Sequence, residues 1–123
     1  MYTEIRIDSL LNDFVENSKR LFGEKLNDII LFGSYARGDY DAESDVDIIM
    51  IADISEDELY NYKRSVADYT ADLSLEYDVL VSPIIEPLAR YQKYKDIIPF
   101  LNNIQKEGVS IGIWGSKKRL CEI

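Results

Sequence analysis

The sequence predicts a single α/β (α+β) domain, a mixed β-sheet of about four strands flanked by helices. Three observations predict it. Segments of helical periodicity alternate along the chain with short apolar runs. Two of those runs, at 29–32 and 46–52, are rich in Ile and nearly continuous, as strands buried on both faces are. The chain has 123 residues, 46% of them hydrophobic, which is enough for one core, and it shows no repeat or linker.

The elements follow in order. Asp8 or Ser9 can cap a first helix that presents Leu10, Leu11, Phe14, Leu21 and Phe22 on one side and stops at Gly23. The run Ile29-Ile30-Leu31-Phe32 reads as a buried strand cut off by a turn at Gly33-Ser34. Residues 37–44 are polar and acidic and read as a loop, and residues 46–52 as a second strand. Ser55 and Glu58 make a capping box, with Leu59, Tyr62, Val66, Tyr69 and Leu73 at helical spacing behind it. Residues 77–85 form a third extended segment that ends at Pro87, followed by a short helix or loop at 88–94. Asp96 can cap a further helix with Pro99 in its first turn and Gly108 as its stop. A last strand covers 109–114, and the residues from Gly115 on are expected to be a flexible tail.

Composition excludes several chemistries. There is no His and a single Cys, Cys121, so imidazole triads, thiolate clusters and internal disulfides are ruled out. Any metal must be a hard cation held by carboxylates. The 23 acids against 14 bases, net −9, disfavour a broad nucleic-acid surface and would suit a basic protein partner, or serve solubility alone. No apolar run spans a bilayer and no signal pattern opens the chain, which predicts a cytoplasmic protein.

The chemistry concentrates in residues 31–51, LFGSYARGDYDAESDVDIIMI. A strand ends in Gly33-Ser34, and after a ten-residue spacer Asp45-Val46-Asp47 enters the next strand. On a strand, residues two apart share a face, so both carboxylates point one way while Val46, Ile48 and Met50 point into the core. Adjacent carboxylates repel, and a cation relieves them. With oxygen ligands only, Mg²⁺ is the natural occupant. Gly33 lets the backbone approach a phosphate, the Ser34 hydroxyl can donate to it, and Arg37 is better placed in sequence than Arg64 to add positive charge. Asp78, expected to open the third strand beside the second, is the candidate third carboxylate for a two-ion site and for deprotonating an attacking hydroxyl. Each residue also has a plainer reading. Asp-x-Asp pairs occur on surfaces, Gly-Ser occurs in ordinary turns, Arg37 can simply pair with Asp39 or Asp41, and Asp78 can be a solvated strand end.

Gly33-Ser34, the spacer and Asp45-x-Asp47 resemble the signature of the DNA polymerase β-like nucleotidyltransferase superfamily. Within it the chain resembles the minimal nucleotidyltransferase (MNT) domain proteins, through Arg37-Gly38-Asp39, residues 44–48, Pro99-Phe100 and Lys106-Glu107-Gly108-Val109. The resemblance covers residues 9–114, so 1–114 is expected to be the minimal nucleotidyltransferase domain and 115–123 the tail. It implies Mg²⁺-dependent transfer of a nucleoside monophosphate, usually AMP from ATP, with release of pyrophosphate. Gly33 and Ser34 would bind phosphate, and Asp45 and Asp47 would bind metal. Many MNT proteins are antitoxins paired with a HEPN-domain ribonuclease toxin, and the resemblance implies adenylylation of a tyrosine on that toxin within a hetero-oligomer. Two alternatives stand beside this reading: a non-catalytic antitoxin acting by occlusion, and a small-molecule nucleotidyltransferase of the aminoglycoside-modifying type.

Overall fold

A computed structural model describes the backbone of residues 4–111 and 118–119. Its elements are α1 (Glu4–Phe22), β1 (Leu26–Phe32), α2 (Ser34–Arg37), β2 (Val46–Ala52), α3 (Glu56–Tyr77), β3 (Val81–Pro87), α4 (Leu88–Tyr94), α5 (Pro99–Glu107), β4 (Val109–Ser110) and β5 (Lys118–Arg119). The sheet order is β3-β2-β1-β4-β5. Strand β2 runs antiparallel to β1 and parallel to β3, so the sheet is mixed as expected. A parallel pair needs a long crossover, and α3 supplies it.

Strand β2 is the spine of the molecule. Val46, Ile48, Met50 and Ala52 face a core built with Leu10, Leu11 and Phe14 of α1 and Val66 and Leu73 of α3. Ile49 and Ile51 face the other way, onto Leu101 and Ile104 of α5. Two helical layers therefore cover the two faces of the sheet, which explains why β2 reads as an almost continuous apolar run. Among the described residues no helix is long and apolar enough to cross a membrane.

Several boundaries differ from the sequence expectation. Helix α1 begins at Glu4 rather than after Asp8 or Ser9, because Ile7 is already buried on the core-facing side. Helix α3 runs on to Tyr77, whose hydroxyl donates to Asp13 of α1 at 2.6 Å. That anchor holds residues 74–77 in the helix, so the third strand starts at Val81. The capping box at Ser55 and Glu58 is formed as its spacing predicts. Asp96 does not cap α5. The helix starts at Pro99, and Asp96 instead accepts a bond from Gln105 at 3.1 Å. Of the expected last strand, Val109 and Ser110 pair with β1, and Lys118–Arg119 pair with β4. Lys118–Arg119 belong to the expected tail and form a strand instead, while residues 112–114 of the expected strand and 115–117 and 120–123 of the expected tail lie outside the described residues.

Candidate active site

The site forms where β1 ends beside the start of β2. The register sets Phe32 opposite Asp47, so Gly33 leaves the sheet directly against the Asp47 side chain. Gly33 has φ +73° and ψ −154°, a conformation that side chains strongly disfavour. A Cβ added there would run into Asp47 Oδ2 and sit 3.3 Å from Cγ. Glycine is thus required twice, by its dihedral angles and by space. The Gly33 carbonyl accepts from the backbone N–H groups of Ala36 and Arg37, both at 3.1 Å, which folds the next residues into the single turn of α2.

The loop that delivers the aspartates is tied down locally. Tyr35 of α2 stacks on Tyr40 with ring centroids 4.3 Å apart. Asp41 and Ser44 close a turn, with the Asp41 N–H donating to Ser44 Oγ at 2.9 Å and the Ser44 N–H to the Asp41 carbonyl at 3.2 Å. The Val46 N–H then donates to the Leu80 carbonyl at 2.9 Å, fixing the strand that carries Asp47.

Asp47 is half-buried, and its pKa is raised above the ordinary carboxylate value. Burial is the main cause and the nearby charge of Asp45 the next, partly offset by Arg37. A pair of carboxylates held together at such a cost is the donor set Mg²⁺ takes when phosphate oxygens and water complete its octahedron. The oxygen-only chemistry of these two side chains suits such an ion.

Two hollows flank the pair. One, of about 400 Å³, is lined by Gly33, Ser34, Arg37 and Asp47 on one side. Its other walls are Phe32 and the α5 residues Phe100, Asn103, Ile104 and Glu107. The second, of about 370 Å³, holds Asp45 and Asp78 together with Glu43, Leu75 and Leu80. The structure therefore gathers Gly33, Ser34, Arg37 and Asp47 around one space and places Asp45 on the edge of the next.

Arg37 lies at this site already engaged, with Asp39 at 3.2 Å and Glu107 at 3.5 Å. Arg64 sits exposed on α3 and lines neither hollow. Asp78 does not open β3. It follows α3 in the left-handed conformation, φ 53° and ψ 46°, which Asp tolerates better than most side chains. The β3 residue in register beside Asp47 is Ser82. Among the described residues no group of three or more carboxylates is close enough to share a metal ion, so Asp78 joins Asp45 at the second hollow without completing a three-carboxylate cluster. The reason is the extra helical length of α3, which delays the strand by three residues.

Sequence reasoning missed the α5 wall. Phe100, Asn103, Ile104 and Glu107 recur at the i, i+3, i+4, i+7 spacing of one helical stripe, a signal present in the chain, but nothing local says that this stripe lies over Gly33.

Comparison with known proteins gives the family and the fold. The nucleotidyltransferase domain family matches residues 9–110. A candidate protein adenylyltransferase of Methanocaldococcus jannaschii is 35% identical over 109 residues, covering 87% of this chain and all of the relative. A second from the same organism is 36% identical over 101 residues, covering 82% of this chain and 93% of the relative. Among solved structures, a mutant of the toxin–antitoxin pair MntA–HpeT superposes with a TM-score of 0.55 at 20% identity, over 84% of this chain and 73% of that one. A toxin–antitoxin structure with AMP-PNP gives 0.52 at 23% identity, over 91% and 75%. An MNT antitoxin in complex with the tri-AMPylated HEPN toxin of Shewanella oneidensis gives 0.52 at 18% identity, over 86% and 72%. At these identities the solved structures establish the shared fold. With a family match across most of its length and a strand-end glycine packed on the Asp47 carboxylate, this chain belongs to the nucleotidyltransferase domain family.

Proposed function

We propose that the protein moves AMP from ATP to a tyrosine hydroxyl of a partner protein, a HEPN-domain toxin, and so neutralises it as the antitoxin of a hetero-oligomeric pair. The observation that carries the reaction class is the Gly33 slot against Asp47, beside Ser34 and Arg37. The relatives support the acceptor class, since two of them are named as candidate protein adenylyltransferases. The solved neighbours support the partner, since one contains an AMPylated HEPN toxin and another AMP-PNP.

In this reading the triphosphate lies at Gly33-Ser34, where the missing Cβ lets phosphate oxygens approach the backbone. Arg37 releases one of its carboxylate partners to reach it. Bound Mg²⁺, held by Asp45 and Asp47, supplies neutralisation of phosphate charge. The acceptor hydroxyl enters from the second hollow, where Leu75 and Leu80 offer exposed apolar surface next to Asp45. Its oxygen bonds to the α-phosphorus as the bond from that phosphorus to the α–β bridging oxygen breaks, and pyrophosphate leaves with the electron pair. Asp78, in the same hollow, takes the hydroxyl proton.

The test uses α-labelled ATP, Mg²⁺ and the protein encoded beside this chain's gene. The expected result is label on a tyrosine of that protein, lost in Asp47→Asn. Absence of label from the wild-type reaction, with toxicity still suppressed by an Asp45→Asn/Asp47→Asn double variant, would establish occlusion instead.

A further inference from the structure

The hollow at Gly33, Ser34 and Asp47 has one wall that the proposed phosphate and metal residues leave unexplained. Helix α5 lays Phe100, Asn103, Ile104 and Glu107 along it. Ile104 is buried and anchors the helix to the sheet through Ile49 and Ile51. The other three do not serve the core. Phe100 keeps 43% of its surface exposed, a costly placement for a phenyl ring, and the Asn103 side chain is exposed one turn further along. Glu107 closes the far end of the stripe on Arg37.

Phe100 meets Phe32 edge to face, with ring centroids 5.5 Å apart and planes at 83°. An edge-to-face pair leaves ring faces open for a third planar group. Phe32 is itself the Cα partner of Asp47, so this aromatic pair stands next to that carboxylate. A nucleotide bound at Gly33-Ser34 carries one flat, amphipathic, hydrogen-bonding group, its base. A ring face and a primary amide at i and i+3 are what such a group needs, one to stack on and one to read its edge.

We infer that Phe100 and Asn103 form the nucleobase site of this enzyme, with the base stacked on the Phe32–Phe100 pair and its edge bonded to the Asn103 amide. This inference rests on the nucleotide lying at Gly33-Ser34 as proposed above. The amide offers one donor and one acceptor side by side. Adenine matches that pair on both accessible edges, through its N6 amine with N1 or with N7. Guanine matches on one edge only, because N7 and O6 are both acceptors. Asn103 therefore pairs with adenine in either orientation of the base and with guanine only when its O6–N1 edge faces α5, which makes Asn103 the residue that reads the base.

The experiment measures binding of a non-hydrolysable ATP analogue, the matching GTP analogue and inorganic tripolyphosphate, each with Mg²⁺, to the full chain. Wild type binds the ATP analogue more tightly than tripolyphosphate. Phe100→Ala and Asn103→Ala each weaken the ATP analogue about tenfold and leave tripolyphosphate unchanged, in line with the measured worth of base–aromatic stacking. Asn103→Ala also brings the ATP and GTP analogues to similar affinities. Should Phe100→Ala unfold the chain, Phe100→Leu keeps apolar packing on Phe32 while removing the flat ring, and the same loss is expected. Unchanged ATP-analogue affinity in the Phe100 and Asn103 variants, with Ser34→Ala still weakening it, overturns the base site and leaves the proposed function standing. Equal weakening of the analogue and tripolyphosphate overturns it too. A wild-type protein that binds neither ligand overturns both readings.

Discussion

Gly33 and Asp47 are packed so closely that the glycine hydrogen, rather than a methyl group, faces the Asp47 carboxylate. The contact joins the end of β1 to the start of β2, two strands held in register by Phe32 and Asp47. Backbone geometry and the proposed metal-binding carboxylate therefore meet at a single point.

Gly33→Ala is expected to lose adenylylation by about a hundredfold or more, since a misplaced reacting group of this kind costs on that order. Thermal stability falls as well, because the alanine must hold φ near +73° at a cost of about 1–3 kcal/mol. Gly38→Ala is the control. It shares a positive φ, +85°, but its added Cβ meets nothing within 4 Å. It is expected to lose stability while keeping activity. Label transfer and thermal melting of the two variants measure the difference.

Asp47→Asn separates function from stability. Burial and the neighbouring Asp45 charge both oppose ionisation of Asp47. The neutral amide removes that opposition, so in EDTA the variant melts no lower than wild type, and higher at low ionic strength, where the repulsion is least screened. Activity is expected to vanish. A variant that melts well below wild type would mean that the carboxylate is a structural group.

Edge strand β3 is protected against pairing with another chain. Leu80 bonds to β2 through its carbonyl, so in the parallel ladder Ser82 and Ile84 also turn inward and residues 81, 83, 85 and 87 turn outward. Of these, Val81 has its N–H bonded to Ser74 Oγ at 3.1 Å, while Pro83 and Pro87 have no N–H. Ile84 on this edge is exposed. Pro83→Thr with Ser74→Ala restores two free donors and is expected to produce concentration-dependent self-association, read by light scattering.

Tyr69 carries a pH signature. Burial raises its phenol from 10.0 to about 12, against a smaller opposing effect of its 2.7 Å bond with Ser18. A raised phenol means that the unfolded chain ionises first. The stability contributed by the neutral phenol is complete below pH 10 and is lost as pH rises toward 12, amounting to roughly 2–3 kcal/mol over that window. Tyr69→Phe has no ionisable group there, so its denaturant midpoint is expected to fall less than that of wild type between pH 9.5 and 11.5. Parallel curves for the two proteins would refute the assignment.

The sequence by itself determined the architecture and the centre of the candidate site. The Ile-rich runs specified β1 and β2, because strands covered by helices on both faces have no polar alternation to hide. The capping box at Ser55 located the start of α3 because its bonds are local. Gly33-Ser34 and Asp45-x-Asp47 were legible for the same reason: a strand end, a turn and a two-residue period are all short-range properties. Tertiary structure decided the rest. Tyr77 holds the end of α3 in the helix through Asp13, 64 residues away, and that distant bond moves Asp78 off the third strand and sets Ser82 beside Asp47. The α5 stripe was visible as a helical period, yet which surface it covers depends on how two helical layers pack on one sheet. Local rules name the candidate residues. Which distant residues face them is settled by packing between elements that the chain order does not place together.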